Sequence, residues 1–301
     1  MHGRSTAVSV DLDDLGCYYA VHGVRAQAPS RALTHWLPRF LALFDRLRVR
    51  ATFFVIGRDV EADLAAGGEG AQVLRDAVAA GHELASHSYA HAYDMSTWDE
   101  ARVFDDLQRN DTVLRALGAS PCGFRAPGYT HGPAMLQAAA RLGYTYDSSA
   151  LPSPAYYLGK LGVMALMAAR GRRSSSLVRG GRSFLGPRAP HVRSEGLVEL
   201  PMSVSGWLRL PIIGTTVLGG PAWLRTRLTE AAARLPHLHL ELHAIDLADA
   251  ERDGIDAPLP ELREPFALRS TRLESLLRER GETVRLDTLA ASVRDDAKPS
   301  R

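Results

Sequence analysis

This 301-residue sequence predicts an α/β fold built on parallel strands, and three features of it point there. Short β-branched and aromatic runs alternate with longer amphipathic stretches, glycines stop several of those stretches, and ionisable clusters stand just past the ends of the runs. Strands separated by helices pair in parallel through right-handed crossovers, giving either an open doubly wound sheet or a barrel. With 46% hydrophobic and 23% charged residues the chain has the composition of an ordinary globular protein, which excludes disorder, collagen and coiled coil as whole-chain descriptions.

The elements follow in order. Thr6–Leu12 (TAVSVDL) is the first strand, Ala32–Leu47 spaces Leu, Trp and Phe as a helix does, and Ala51–Ile56 (ATFFVI) is a second buried strand. Ala71–Ala80 is a helix ended by Gly81, His82–Ser86 a strand, Trp98–Leu117 a long helix stopped by Gly118, and Cys122–Arg125 another strand. Pro133–Leu142 and Tyr144–Asp147 add one helix and one strand. From about Ser148 to Gly196 the rhythm breaks into Pro, Gly, Ser and Arg, with one apolar helix at Tyr156–Ala169, so residues 148–196 read as an insertion within a single domain spanning 1–301. The pattern resumes with Leu197–Pro201 (LVELP), a helix over about Ala222–Leu235, and a strand Leu238–Leu242 ending at His243. A helix near Ser270–Arg280 and a short strand near Thr283–Leu286 close the fold, and the AKPSR tail is expected to fray.

Net charge is +2, which gives little reason to expect nucleic-acid binding. Its distribution says more. Ser148–Ser194 contains no Asp or Glu, while Lys160, Arg170, Arg172, Arg173, Arg179, Arg182, Arg188 and Arg193 supply eight positive charges; the rest has 28 basic against 34 acidic residues, a net of −6. Such asymmetry suits a face that meets something anionic, although 34 Arg among 36 basic residues also describes a generally arginine-biased chain. Cys17 and Cys122 are too few for a disulfide framework, MHGRSTAVSV lacks the apolar core of a secretory signal, and no run approaches the length of a bilayer span. A cytoplasmic location is the expectation.

Three polar clusters stand where predicted strands end, which is where parallel α/β folds collect catalytic groups. In Asp11-Leu12-Asp13-Asp14, alternation puts Asp11 and Asp13 on one face, where two carboxylates raise each other's pKa unless a cation joins them; acidic residues here also suit the cap of a following helix. In GHELASHSYAH, His87 and His91 are spaced i, i+4, one helical turn, so both rings can hold one divalent ion, while His82 lies within the strand and reads as structural. Two imidazoles and one carboxylate leave coordination positions open, the catalytic rather than the structural pattern for zinc. In Phe124-Arg125-Ala126-Pro127-Gly128-Tyr129, a buried Arg can orient a carboxylate, and the Pro-Gly turn can present N–H groups to an anionic oxygen.

SVDLDD, ATFFVIG, GHELASHSYAH, FRAPG, LGYTYDSS and LELH, in that order, resemble the polysaccharide deacetylase superfamily, also called the NodB-homology or carbohydrate esterase family 4 fold. The resemblance covers roughly Thr6–Ser149 and Leu197–Asp246 and is nearest to the branch of peptidoglycan deacetylases and allantoinase-like amidohydrolases. It implies a distorted (β/α) barrel of about seven parallel strands carrying the basic insertion. It also implies that His87 and His91 bind a metal and that the Asp cluster supplies the third ligand and a general base. Aligning Ser9-Val10-Asp11 with the commoner Thr-Phe-Asp makes Asp11 the base and Asp13 the ligand; aligning the Asp-Asp pair makes Asp13 the base and Asp14 the ligand. The same-face argument favours the first. Arg125 matches the arginine that holds the base, Gly128 stands where many members have Tyr and keeps the N–H that faces the oxyanion, and His243 matches the general acid, with Asp147 and Asp246 as candidate partners for its ring.

The cofactor so implied is one divalent ion, zinc first, with cobalt, nickel or manganese as alternatives. The activity is metal-assisted amide hydrolysis, in which the ion polarises the acyl oxygen and acidifies water. The expected substrate is an amino sugar or a lipid-linked glycan precursor bearing an N-acyl, typically acetyl, group. An allantoinase-like or other non-sugar amidohydrolase and a non-catalytic, metal-retaining binding module are the alternatives. The apolar Tyr156–Ala169 stretch, followed by Arg170, Arg172 and Arg173, suits peripheral docking on the inner face of an anionic membrane, or equally a lid helix packed on the barrel.

Overall fold

The computed structural model describes residues 4–26, 28–175 and 184–297. Arg179 and Arg182 of the basic segment, and the tail beyond Ala297, lie outside the described residues. The strands are β1 (Ser5–Asp11), β2 (Thr52–Val55), β3 (Glu83–Ser86), β4 (Gly123–Phe124), β5 (Tyr146–Asp147), β6 (His191–Val192), β7 (Val198–Glu199) and β8 (His237–His243). They form one sheet in the order β6-β7-β5-β4-β3-β2-β1-β8, parallel throughout except where β6 meets β7. The seven parallel strands curl into a half-barrel, the distorted barrel expected from the sequence.

Register decides where the polar clusters go. Asp11 pairs with His243 across β1–β8 and with Phe54 across β1–β2; Val55 pairs with Ser86, and Ser86 with Phe124. The residues just past Ser86 and Phe124 are His87 and Arg125, so Asp11, His87, Arg125 and His243 all arrive at the C-terminal edge of neighbouring strands. At β4–β5 the pairing of Gly123 with Tyr146 demands glycine, because a Cβ there would stand 1.9 Å from the tyrosine ring.

Helices cover the sheet for local reasons. Helix α1 (Leu15–His22), not anticipated from the sequence, is capped by Asp14 and ends on left-handed Gly23. The helix expected over 32–47 divides into a π turn, Ala32–Trp36, and α2 (Leu37–Leu47). Pro38 has no N–H to offer the preceding turn, and the N–H groups of Trp36 and Leu37 reach back five residues to Arg31 and Ala32. Helix α3 (Gly57–Ala65) was also not anticipated. Helices α4 (Glu69–Ala79) and α5 (Glu100–Ala116) stop before the glycines the sequence indicated, Gly81 and Gly118, both at positive φ. Helix α6 (Pro133–Arg141) packs on α5, and α7 (Pro154–Ala169) rises from the insertion with Ser153 as its cap. Helices at Ala222–Arg234, Phe266–Arg280 and Leu286–Asp296 complete the layer.

One expected strand is corrected. Thr283–Leu286 makes a single bridge, Val284 to Ala7, because Leu286 already begins the last helix, its N–H donated to Thr52 Oγ1. That helix sends Leu286, Leu289 and Ala290 against Ala7, Phe54 and Tyr146, while Trp36, Phe40 and Phe44 of the π turn and α2 fill the larger core on another face.

Candidate active site

Asp13, His87 and His91 converge. Asp13 Oδ1 lies 3.3 Å from Nε2 of His87 and 3.3 Å from Nε2 of His91, and all three residues are buried. One ligand atom from each falls within 4.8 Å of the others. Asp13 Oδ1 and His91 Nε2 nevertheless have no hydrogen-bond partner, so buried polar atoms face one another across a gap that their own contacts do not fill. A divalent cation fits that donor set of two imidazoles and a carboxylate. His87 Nδ1 is 2.9 Å from the Arg125 carbonyl, which holds its proton on Nδ1 and leaves the Nε2 lone pair toward the gap. Burial opposes charge on Asp13, but the His91 and His87 rings outweigh it and hold its carboxyl well below the usual range. His87 is pushed down by burial and up by Asp11 and Asp13, with the upward effect prevailing.

The histidines meet through a different conformation from the helical turn that their spacing suggested. Residues 87–91 form a loop with Ser88 and His91 in left-handed φ, at 63° and 46°. Asp106 on α5 anchors it by accepting the N–H groups of Tyr89 and Ala90, and Ser88 Oγ accepts the N–H of His91. Two non-glycine residues in this region constitute local strain, which such anchoring sustains. The ring centroids end up 4.8 Å apart.

Asp14 stands outside this group. Its Oδ1 accepts from the N–H groups of Leu15, Arg31 and Ala32 at 2.8–3.0 Å, so it ties α1 to the π turn. Of the two candidate third ligands, the fold places Asp13 beside the histidines and uses Asp14 as a cap.

Asp11 sits beside the triad, Oδ2 3.7 Å from His87 Nε2, and receives a charge-assisted hydrogen bond from Arg125 on Oδ1. Arg125 is fully buried and spends its other donors on Ser9 Oγ, Ser148 Oγ and the Ser148 carbonyl, while its guanidinium stacks 4.0 Å over Phe54. The result is a carboxylate fixed in one orientation. Burial raises the Asp11 carboxyl above its ordinary value despite Arg125 and His87, a direction that suits a base.

His243 forms the opposite wall. Its Nδ1 is 2.9 Å from Glu241 Oε1, and its Nε2 is 3.2 Å from the Tyr129 hydroxyl, which donates to the same Glu241 oxygen at 3.0 Å. Burial would lower His243, but Glu241 outweighs it and lifts the imidazolium well above the usual histidine value; the same pairing draws Glu241 down against its burial. Glu241 and Tyr129 were not identified from the sequence. Glu241 lies two residues before His243 in LELH, hence on the same face of β8, and that alternation was the available signal. Tyr129 stands one position after Gly128 and turns its hydroxyl inward.

Two residues expected to serve His243 do not orient its ring. Asp246 accepts the backbone N–H of His243 at 2.9 Å, and Asp147 engages Ser149 and faces Glu199 and Arg193 under the insertion. All three are acidic residues near strand ends, and only Glu241 shares a strand face with His243. His82 behaves as expected for a structural histidine: it packs on Phe44 and Phe53, receives the Ala51 N–H, and is held neutral down to about 4 by burial.

These groups line one cavity of about 500 Å³ that includes Asp11, Asp13, His87, Gly128 and His243 and opens onto α7. Gly128 sits at φ 63°, and a Cβ there would press on the Tyr93 ring at 3.1 Å. Lys160 reaches in from α7, its Nζ 3.5 Å from the Gly128 carbonyl and drawn down to about 8 by burial.

The polysaccharide deacetylase family model matches residues 27–146, a span holding His87, His91 and Arg125. A protein of the fungus Arthroderma benhamiae, named a probable peptidoglycan-N-acetylglucosamine deacetylase, is 32% identical over 108 residues, which is 35% of this chain and 24% of that protein. The aligned stretch therefore spans about a quarter of that relative's length. A crystal structure from Mycobacterium smegmatis, provisionally named a polysaccharide deacetylase, superposes over 99% of this chain and 93% of its own with TM-score 0.59 and 19% identity. The likeness to the family model is therefore to residues 27–146, and the likeness to the Mycobacterium smegmatis structure is one of fold over nearly the whole chain. A family 4 carbohydrate esterase from Streptomyces lividans, solved with acetate, is similar over 93% of this chain and 91% of its own at 15% identity and TM-score 0.48. These likenesses concern the fold and one stretch of sequence; the chemistry rests on the residues.

Proposed function

We propose that this protein is a deacetylase of the polysaccharide deacetylase superfamily, a metal-dependent amide hydrolase that removes an N-acyl group, acetyl foremost, from an amino sugar or a lipid-linked amino-sugar precursor. One observation carries the reading: the buried, unpartnered oxygen of Asp13 and nitrogen of His91 face each other and His87 next to an arginine-held carboxylate and a carboxylate-held histidine.

Asp13, His87 and His91 would hold the ion, which when bound supplies Lewis-acid polarisation of the acyl oxygen and acidifies water. Asp11, fixed by Arg125, takes the proton from the attacking water as oxygen bonds to the acyl carbon. The backbone at Gly128 is the candidate donor to the oxyanion. His243, kept protonated by Glu241, gives its proton to the departing nitrogen as the C–N bond breaks, leaving a carboxylic acid and a free amine. Tyr129 and Glu241 position that imidazole and do not themselves move the proton to substrate.

Metal analysis of the purified protein, with a screen of N-acetyl sugars against cyclic ureides that reads released carboxylic acid or amine, tests this. One ion per chain with release from an N-acyl sugar is the expected result. Turnover only on ureides would make it an amidohydrolase of another substrate class, and bound metal with no hydrolysis of any amide would make it a binding module.

A further inference from the structure

Helix α7 carries more exposed large apolar side chains than any other described helix. Its inward side, Tyr157, Lys160, Met164 and Met167, faces the body of the protein and the cavity. The side turned to solvent should then be polar, but it carries Leu158, Leu161 and Leu166, exposed by 70%, 47% and 51%, while Val163 at the cavity edge is also exposed. Between Pro154 and Ala169 the sole charged residue is Lys160, which is turned inward. Two further aromatics, Trp207 and Trp223, are exposed, each close in sequence to a cavity-lining residue, Leu210 and Leu224. An exposed apolar surface of this kind marks a contact with something else.

Charge says what that something is. At the C-terminal end of α7 stand Arg170, Arg172 and Arg173, all exposed, within a segment that has no acidic residue from Ser148 to Ser194. Arg193 of the same segment is not available to a partner, since it is tied to Glu199; among the described residues, the exposed arginines of the segment are the three at the end of α7 and Arg188. A helix apolar on its outer face, closed by arginines and accompanied by exposed tryptophans, matches the requirements of an anionic lipid interface: hydrocarbon below, phosphate at the arginines, indoles at the boundary. Its 16 residues lie on a bilayer and cannot cross it, and no described helix is long and apolar enough to do so. We infer that α7, with the Trp207 turn and Trp223 at the start of the Ala222–Arg234 helix, is a docking surface for an anionic membrane, which would bring the mouth of the cavity to the lipid surface. The inference stands apart from the hydrolase reading, and joins it only in favouring an acyl substrate that is itself held in the bilayer.

Cosedimentation of the full chain with vesicles of phosphatidylcholine alone, and of phosphatidylcholine with phosphatidylglycerol, tests the surface. Binding to the anionic vesicles that weakens with added salt is expected. Leu158→Ser with Leu161→Ser, both exposed and so not expected to alter folding, should reduce that binding about tenfold or more. Arg170→Ser with Arg173→Ser should do likewise. His87→Ala should bind vesicles as the native chain does, so loss of docking and loss of hydrolysis are read separately. Failure of the folded native chain to bind anionic vesicles, or equal binding by the leucine variant, overturns the inference. So does a dimer in sedimentation analysis that the leucine substitutions dissolve without any vesicle binding, which would assign the face to a second copy of the chain.

Discussion

Strands β3 and β8 carry histidines at both ends, and the two ends differ. At the N-terminal ends, burial pushes His82 and His237 down to about 4, with Arg50 and Arg280 adding to the effect. At the C-terminal ends, His87 is buried and His243 half-buried, yet Asp11 and Asp13 beside the one and Glu241 beside the other raise them. Residue type and strand are the same; what changes is the buried carboxylates at the C-terminal edge, Asp11 and Asp13 from the end of β1 and Glu241 from β8 itself. A histidine in this fold is core or chemistry according to which end of its strand it occupies.

Substitution at each end breaks the comparison most sharply. His87→Ala is expected to abolish metal binding and lower turnover about 10³-fold or more, whereas His237→Ala should keep both; elemental analysis and a deacylation assay read the pair. Next in size, His243→Ala should retain the ion and lose about 10²- to 10⁴-fold in kcat, since it removes a proton donor and no ligand. Glu241→Gln sharpens the point. Without the carboxylate that raises it, His243 should lose its proton at lower pH, moving the basic limb of the pH–rate profile toward acid and costing about tenfold at neutral pH.

The smallest effect belongs to the other end of the strands. Because His82 and His237 have depressed values in the folded chain, the unfolded chain takes up their protons first as pH falls below about 6.5. The stability they support is present above that pH and is lost as pH falls through about 4. Each is expected to account for on the order of 2 kcal/mol of the acid sensitivity. Chemical denaturation at pH 7 and pH 4 should show a smaller difference between the two pH values for His237→Gln than for the native chain.

The sequence made the sheet legible because its strands are short, β-rich and separated by glycine-stopped helices; it made the site legible because the ligands fall at strand ends. It obscured what tertiary contacts decide. The i, i+4 spacing of His87 and His91 is satisfied by a strained loop that Asp106 anchors from α5, a contact 15 or more residues away along the chain. The pair Asp13 and Asp14 is chemically symmetric until the chain folds, when Asp14 turns to the Arg31 and Ala32 amides. Helix α1, rich in apolar residues with no polar face, offered no helical period to read, and TVRL looked like a strand because its neighbour Ala7 can pair with only one of its residues. Glu241 could have been found by alternation from His243.

In the proposed function, Asp13, His87 and His91 together hold one ion and Asp14 lies outside the site. Calorimetric titration of metal-stripped protein with zinc decides it directly. One ion per chain is expected for the native protein and for Asp14→Ala, with saturable binding lost in Asp13→Ala, His87→Ala and His91→Ala. Unchanged stoichiometric binding by His87→Ala, or its loss in a folded Asp14→Ala alone, would contradict the account.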